Sequence, residues 1–584
     1  MQPSPTAELA ERWSQLRSEK PTLRIRDAAV ALGVSEAEPV GRPVGPTART
    51  RLTIEGDRVV CWDGLVRLDG EPTLVRLVRA VDHPTSVTHE LVGAAFDPDE
   101  GLVDQVLRAH HLEGRSRDGG PGVVLTTLDA DTDRWVGLVL RRAAAGPPSD
   151  IGCIERDLEL AEARAASAVA GAEVASVHLD RIESALLVLD ALTEPTTGGV
   201  IAAPTTSVPE IPGCDRQFDY RFAWVRDASL AAAVAALVGH VDSTHGHIDW
   251  LLDRCVDTGG LPVPLSDVFG EPAPEEREIA HVRGVDGSGP IRVGNAAKDQ
   301  VQVDGAGFIA EAVWVLTGRG GGFRRAAYDT VAAMADAVAR LPVGPTGGMW
   351  ELREPADVGN ADLGRWLLFD RALRLQVVYE PWALGRRRRW RAAGAAAKHR
   401  VLHELLPDGT LPFSRDTAAA DAAGLLLVIF GLLSRNDVLA HHLVDGTIAE
   451  LGIGDPVTAL RRYPADVPVG FEGKEPAFVP ASWWAVSALA RLDRVDEAHA
   501  LADRLCEAVP GVQPEMLDPG GAGGLGNTPL LWSHAECARA LYLLRVADVR
   551  ARWGAPLAAA WESARFVRQV VRAARSERGL TGQR

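Results

Sequence analysis

Phe218–Leu230 reads FDYRFAWVRDASL. Four aromatic side chains, Phe218, Tyr220, Phe222 and Trp224, run into an Arg226–Asp227 pair. That pair stands where a long Ala/Leu helix, DASLAAAVAALVG, begins. A charged pair among rings is costly to bury unless it meets partners. Flat apolar faces beside a planar donor and an acceptor are what a sugar pocket needs, because rings stack on C–H faces while Arg and Asp bond the hydroxyls. The plainer reading is a helix start, with Asp227 as cap and Arg226 as its ion-pair partner. The stretch alone leaves both readings open.

Working outward, everything after residue 180 has helical periodicity. About a dozen apolar stretches, from 182–192 to 555–575, alternate with Gly/Pro-rich loops. A dozen helices is about the number needed for six hairpins closed into a ring, which would bury one face of each and gather the loops at one end. Those loops hold the unusual residues, so the loop end is the expected active face.

Upstream the character differs. From about 40 to 145, runs such as RTRLTIEGDRVVCWDGLVRLDG, GVVLTTLDA and RWVGLVLRRA are short, β-rich and split by turn residues, which predicts an antiparallel β-sandwich. Residues 155–175 read as an Ala/Glu-rich linker helix. Residues 1–38 have helical spacing and predict a small helical extension. Within it, LRSEKPTLRIRDAAVALGVSEAE resembles the opening of bacterial haem-utilisation proteins, without that family's haem-binding part.

The formal net charge of −17 argues against nucleic-acid or anionic-membrane partners and suits a neutral substrate. The Arg386–Arg389 run is expected to be a solvated helix face. Six scattered cysteines with no CxxC pair, and no basic-then-apolar N-terminal pattern, lead to the expectation of a cytoplasmic protein. The longest apolar run, Ala422–Leu433, is too short to span a bilayer, which takes about 20 residues. No HExxH, cysteine cluster or phosphate-loop pattern implies a metal or cofactor.

Eight segments then stand in order: ESALLVLDALTEPTTGGVIAAPTTSVPEIPG, FDYRFAWVRDA, PIRVGNAAKDQVQVDGAG, GGMWELR, WLLFDRALRL, RRYPAD, FVPASWWAVSALARLDRVDEA and GNTPLLWSHAECARAL. Together, from about Asp180 to Leu544, they resemble family 15 glycoside hydrolases, the glucoamylase and bacterial trehalase-like family. The resemblance implies a mainly α chain: an (α/α)6 barrel at 181–584, preceded by a β-sandwich at 39–150 and a linker helix at 151–180. It also implies roles. Glu351 in WELR takes the general-acid position and Glu515 in PEMLD the general-base position. Arg226 and Asp227 hold the terminal glucose, Trp350 is the neighbouring aromatic wall, and Arg462 with Tyr463 contacts substrate. Trp224 and Tyr220, from the ring-rich stretch, are expected to add to the substrate-binding surface.

The residue types suit that chemistry. A glycosidic oxygen leaves poorly unless protonated, and in an inverting enzyme a second carboxylate activates water from the opposite face, the two standing about 6.5–9.5 Å apart. Glu351, after an aromatic, is expected to be partly desolvated and so protonated. Glu515, in an acidic Gly-rich loop, is expected to be more open to water. Departures from the family pattern fall near both. Asn360, Ala361 and Asp362 replace a His-Ser-Lys segment, Met516 and Leu517 follow Glu515, and Gly305 and Ala306 stand in QVQVDGAG. The expectation is an inverting, exo-acting α-glucosidase of small oligosaccharides or disaccharides, with trehalase, or a sugar-binding protein without turnover, as alternatives. The oligomeric state stays open.

Overall fold

The computed structural model describes ten strand segments between residues 23 and 142 with the turns 81–84 and 131–135. It also describes residues 151–170, and 178–562 apart from 257–260, 280–286, 320, 323, 468, 510 and 519–522. The chain forms two compact units, residues 1–170 and 171–584.

The first unit has two antiparallel sheets. The larger runs in the order β2 (Val34–Pro39), β3 (Thr47–Ile54), β4 (Asp57–Leu68), β5 (Glu71–Ala80), β10 (Val136–Arg142), β7 (Leu107–Leu112). The smaller runs β1 (Leu23–Arg26), β6 (Thr85–Gly93), β9 (Val123–Ala130), β8 (Gly114–Gly120). Successive side chains of a strand point to opposite faces, and both faces of the larger sheet are buried. Trp62, Val75, Leu77 and Val139 pack with Ile154 and Leu158 of helix α1 (Ile151–Ala170). Val59, Cys61 and Val78 are buried on the other side, and β9 lies against β5 and β10.

Two expectations are corrected here. The described parts of the 1–38 extension, residues 23–26 and 34–39, are strands. Their spacing looked helical, but β1 pairs along β6 and β2 along β3, and distant strand partners override local periodicity. Residues 151–170 are not a free linker, since α1 packs on β4 and β3 of the first unit. The rest of 1–38 lies outside the described residues.

In the second unit, burial sorts the helices into two kinds. Helices α3 (Val225–Val238), α5 (Val303–Gly318), α7 (Gly359–Tyr379), α9 (Leu425–Ile429), α11 (Val479–Arg491) and α13 (Leu531–Trp553) are buried on nearly every face. Apolar residues all round a helix place it inside a larger core. The alternate helices show only a stripe. In α6 (Arg325–Val338) the buried residues include Ala327, Val331, Ala335 and Val338; in α12 (Val495–Ala508), Ala498, Leu501, Ala502 and Leu505. Such i, i+3/i+4 spacing fits a helix laid on an inner layer.

Packing follows this alternation. α3 lies on α5, α5 on α7, α9 on α11, α11 on α13, and α13 back on α3. The step from α7 to α9 is tied by Arg371, whose Nη2 donates to the Phe430 carbonyl at 3.0 Å. Outside these, α2 (Leu179–Leu192) packs on α13, α4 (Val241–Val256) on α3, α6 on α7, α8 (Leu384–Glu404) on α7, α10 (Val438–Leu451) on α9, and α12 on α11. The first turns of α5 and α7 nearly touch. A Cβ on Gly307 would lie 2.5 Å from the Gly364 carbonyl oxygen, and one on Gly364 would lie 2.4 Å from the Asp304 Cα. This approach sinks Asp304 beneath the loops that precede the inner helices.

Candidate active site

Those loops enclose a cavity with about 80 Å³ of free space. Its floor is the start of α3. Ala223–Trp224 forms a short antiparallel pair with Leu265–Ser266, which fixes Trp224 just ahead of the helix. Tyr220 meets Trp224 edge-on at 5.4 Å between ring centroids. Arg226 is buried; its Nε donates to Asp227 Oδ2 at 3.1 Å and its Nη1 to the Met349 carbonyl at 2.7 Å. The guanidinium carbon lies 4.3 Å from the Trp532 ring centroid. Asp227 is in the first turn of α3, where its carboxyl accepts its own backbone N–H, and the N-cap position is held by Trp224. Burial pushes the Asp227 carboxyl up to about 6, against the pull of Arg226.

Glu351 comes from the loop between α6 and α7. It has φ +57°, a left-handed conformation few non-glycine residues adopt, and such outliers gather at functional sites. The turn is held by Leu352 N–H on Gly347 O at 2.9 Å. Glu351 Oε1 accepts from Trp224 Nε1 at 2.7 Å and Arg226 Nη1 at 3.0 Å. Trp350 is stacked near Trp532, with centroids 6.2 Å apart, and its indole N–H donates to Asp421 Oδ1 at 3.0 Å. Asn360 completes this support: Nδ2 donates to Asp421 Oδ2 at 3.1 Å, and Oδ1 accepts from Met349 N–H at 3.2 Å. Burial pushes Asp421 up to about 7.

Glu515 precedes a short three-stranded arrangement of Ala477–Phe478, Met516–Leu517 and Gly524–Leu525. Its backbone carbonyl accepts from Val479 N–H at the start of α11, at 3.0 Å. Oε1 accepts from Tyr220 OH at 2.7 Å and Oε2 from Asn527 N–H at 3.2 Å. Gly526, at φ +71°, leaves room for it, since a Cβ there would come 2.6 Å from Oε2. Beside it lies a buried network. Arg462 Nε donates to Glu475 Oε1 at 2.5 Å and Nη2 to Glu210 Oε2 at 2.6 Å, and Arg216 also pairs with Glu475. Burial pushes the Glu515 carboxyl up to about 8, with Glu210 adding to it and Arg462 opposing.

All the expected residues therefore face one cavity: Tyr220, Trp224, Arg226, Asp227, Trp350, Glu351, Arg462, Tyr463 and Glu515. Their surroundings differ from expectation in two ways. Glu515 is only 1% exposed, whereas the Glu351 side chain is 20% exposed. Gly526 lies directly against the Glu515 carboxylate, so the relative openness of the two is reversed. Arg462 lines the cavity with its Nε and Nη2 already engaged by carboxylates, and Tyr463 packs edge-on to Trp350 at 6.4 Å. The changed segment after Glu351 splits in function. Asn360 holds the Glu351 loop from behind, while Asp362 accepts from Arg400 of α8.

Glu210, Glu475, Asp421 and Trp532 were missed from the sequence, as was Asp304, fully buried beneath the floor and pushed up to about 6 by burial. Trp532 and Glu210 lie in the quoted segments GNTPLLWSHAE and VPEIPG, where a lone polar or aromatic residue gives no spacing signal.

The protein family described as "Glycosyl hydrolases family 15" matches residues 182–374. Over these residues the chain is similar to glycosyl hydrolase family 15. The family match contains Tyr220, Trp224, Arg226, Asp227, Trp350 and Glu351; Arg462, Tyr463 and Glu515 lie beyond it. The chain is 28% identical over 371 residues to the protein named trehalase of Mycolicibacterium smegmatis, covering 62% of this chain and 54% of that one. It is 29% identical over 390 residues to trehalase 2 of Sulfolobus acidocaldarius, covering 64% and 65%. The chain thus spans about half the length of the mycobacterial relative. In fold, the chain is similar to a crystal structure of a bacterial glucoamylase complexed with acarbose. The TM-score is 0.63 at 12% identity, over 89% of this chain and 88% of that one. No helix among the described residues is long and apolar enough to cross a membrane.

Proposed function

We propose that the second unit is an (α/α)6 barrel, preceded by a β-sandwich, and that its cavity hydrolyses the α-glucosidic bond of a small glucoside with inversion. The observation that carries this reading is the pair of rings between the two glutamates. Tyr220 and Trp224, in edge contact, bond Glu515 on one side and Glu351 on the other. A sugar seated on Arg226 and Asp227 would then have one carboxylic group at the linkage oxygen and another on its far face. Glu351 Oε1 is occupied by two donors, while Oε2 carries no protein bond among the described residues; Oε2 is the oxygen from which the leaving sugar takes its proton. Glu515 removes a proton from the attacking water. This chemistry calls for no cofactor.

Trehalose is the substrate to test first, because several relatives in this identity range carry that enzyme's name. Maltose and isomaltose follow. Polarimetry or NMR should record β-glucose as the first product. Glu351→Gln and Glu515→Gln should each lower kcat by about 10²–10⁴; unchanged turnover in both ends the assignment. A reading as a sugar-binding protein without turnover rests on one observation, that burial favours the proton on Glu515 at neutral pH. Calorimetric binding of trehalose with no glucose released at any pH from 5 to 9 would establish it instead.

A further inference from the structure

Four separate loops meet at the cavity wall, with Phe218, Arg353 and Phe471 lining it. Phe218 comes from the stretch before α3, Glu276 from the loop between α4 and α5, Arg353 from two residues beyond Glu351, and Phe471 from the loop before α11. Phe218 and Phe471 are in edge contact at 5.2 Å. The Arg353 guanidinium lies 5.8 Å and 5.5 Å from their ring centroids, and its Nη2 donates to Glu276 Oε1 and Oε2 at 2.7 and 2.9 Å. Arg292, on the same two rings at 5.4 and 5.9 Å, backs the assembly and bonds Glu278 at 3.3 Å.

Exposure orients the assembly. Trp224, Arg226 and Asp227 are all buried, whereas Arg353 is 33% and Glu276 15% exposed. The buried end takes the terminal glucose, so the more exposed end takes the departing sugar. Arg353 follows the proton donor by two residues and lines the same cavity. We infer that the Arg353–Glu276 ion pair, spread over Phe218 and Phe471, is a strap that limits the leaving group to a single sugar unit. The two rings line the cavity beside the space for one pyranose, and the ion pair ties the acid loop to the 271–279 loop, across the path a further sugar would take. The free space of about 80 Å³ is small beside the roughly 300–1,000 Å³ of ordinary ligand pockets, as a site for a short substrate would be.

This inference rests on the hydrolase reading, and the test separates the two. Wild-type protein, Arg353→Ala and the milder Glu276→Gln are assayed on trehalose, maltose, maltotriose and maltotetraose. In wild type, kcat/KM should fall by about tenfold or more from the disaccharides to the trisaccharide. Arg353→Ala should shrink that drop to about threefold or less, while KM for the disaccharides rises. An unchanged length ratio in both variants, or a wild type indifferent to length, overturns the strap. If wild type releases glucose from none of the four, the hydrolase reading fails and the strap is judged by calorimetry with the same sugars. Disaccharide-only binding in wild type and binding of both lengths in Arg353→Ala then supports it; equal binding of both lengths in wild type removes it.

Discussion

A carboxyl that must take a proton from water works only once it has lost its own. Burial beside Glu210 pushes Glu515 up to about 8, so kcat/KM should rise with pH from 6 towards 8. Tyr220 donates to Glu515 and lowers its affinity for a proton. Tyr220→Phe should therefore move the rising limb to still higher pH; a limb left in place would detach that hydrogen bond from the titration. The roles of the two glutamates can also be separated. Glucosyl fluoride leaves without a proton, so Glu351→Gln should keep much of its turnover on it while Glu515→Gln loses it by about 10² or more; the opposite pattern would exchange the roles. What could be read at this scale was the pairing of unusual residues with loops, as in Arg226–Asp227 and Trp350–Glu351. Glu515 was misjudged because PGGAGGLGN looks open, yet Gly526 lets the chain fold directly over the carboxylate.

Helices and loops divide in how much their sequences disclose. The inner helices were legible: DASLAAAVAALVG carries small apolar residues on every face, and α3 is buried on every face. The strands at 23–26 and 34–39 were not, because the partners that define them, β6 and β3, lie elsewhere in the chain. Nor did the loops reveal Glu210 and Glu475, which become a network only when folding brings them to Arg462 and Arg216. Removing one charge from such a buried set strands the others. Glu475→Gln should cost about 3–5 kcal/mol, visible as a lower denaturant midpoint with the slope unchanged. A cost under about 0.5 kcal/mol, as at ordinary surface sites, would mean water already reaches these arginines. Asp421→Ala should mainly free the Trp350 indole and raise KM more than it lowers the melting point.

Over the whole molecule, several buried carboxyls are shifted the same way: Asp227 and Asp304 to about 6, Asp421 to about 7 and Glu515 to about 8. Each binds its proton more tightly folded than unfolded, where Asp and Glu titrate near 4. Their contribution is fully present below the unfolded pKa and is lost as pH rises through the folded values. The melting temperature should therefore decline between about pH 5 and 8, and Glu515→Gln should decline less steeply. A wild-type curve that rises over this window would show that those carboxyls are ionised in the folded protein.

The two glutamates come from loops 164 residues apart in the chain, yet both are tied to rings four positions apart in a single stretch, Tyr220 and Trp224. That stretch acts as a gauge. Lengthening, shortening or re-sequencing the outer part of either loop leaves the two carboxyls tied to the same rings, so under the proposed hydrolysis sugars of new shape are accommodated by loop drift while the carboxyls keep their spacing.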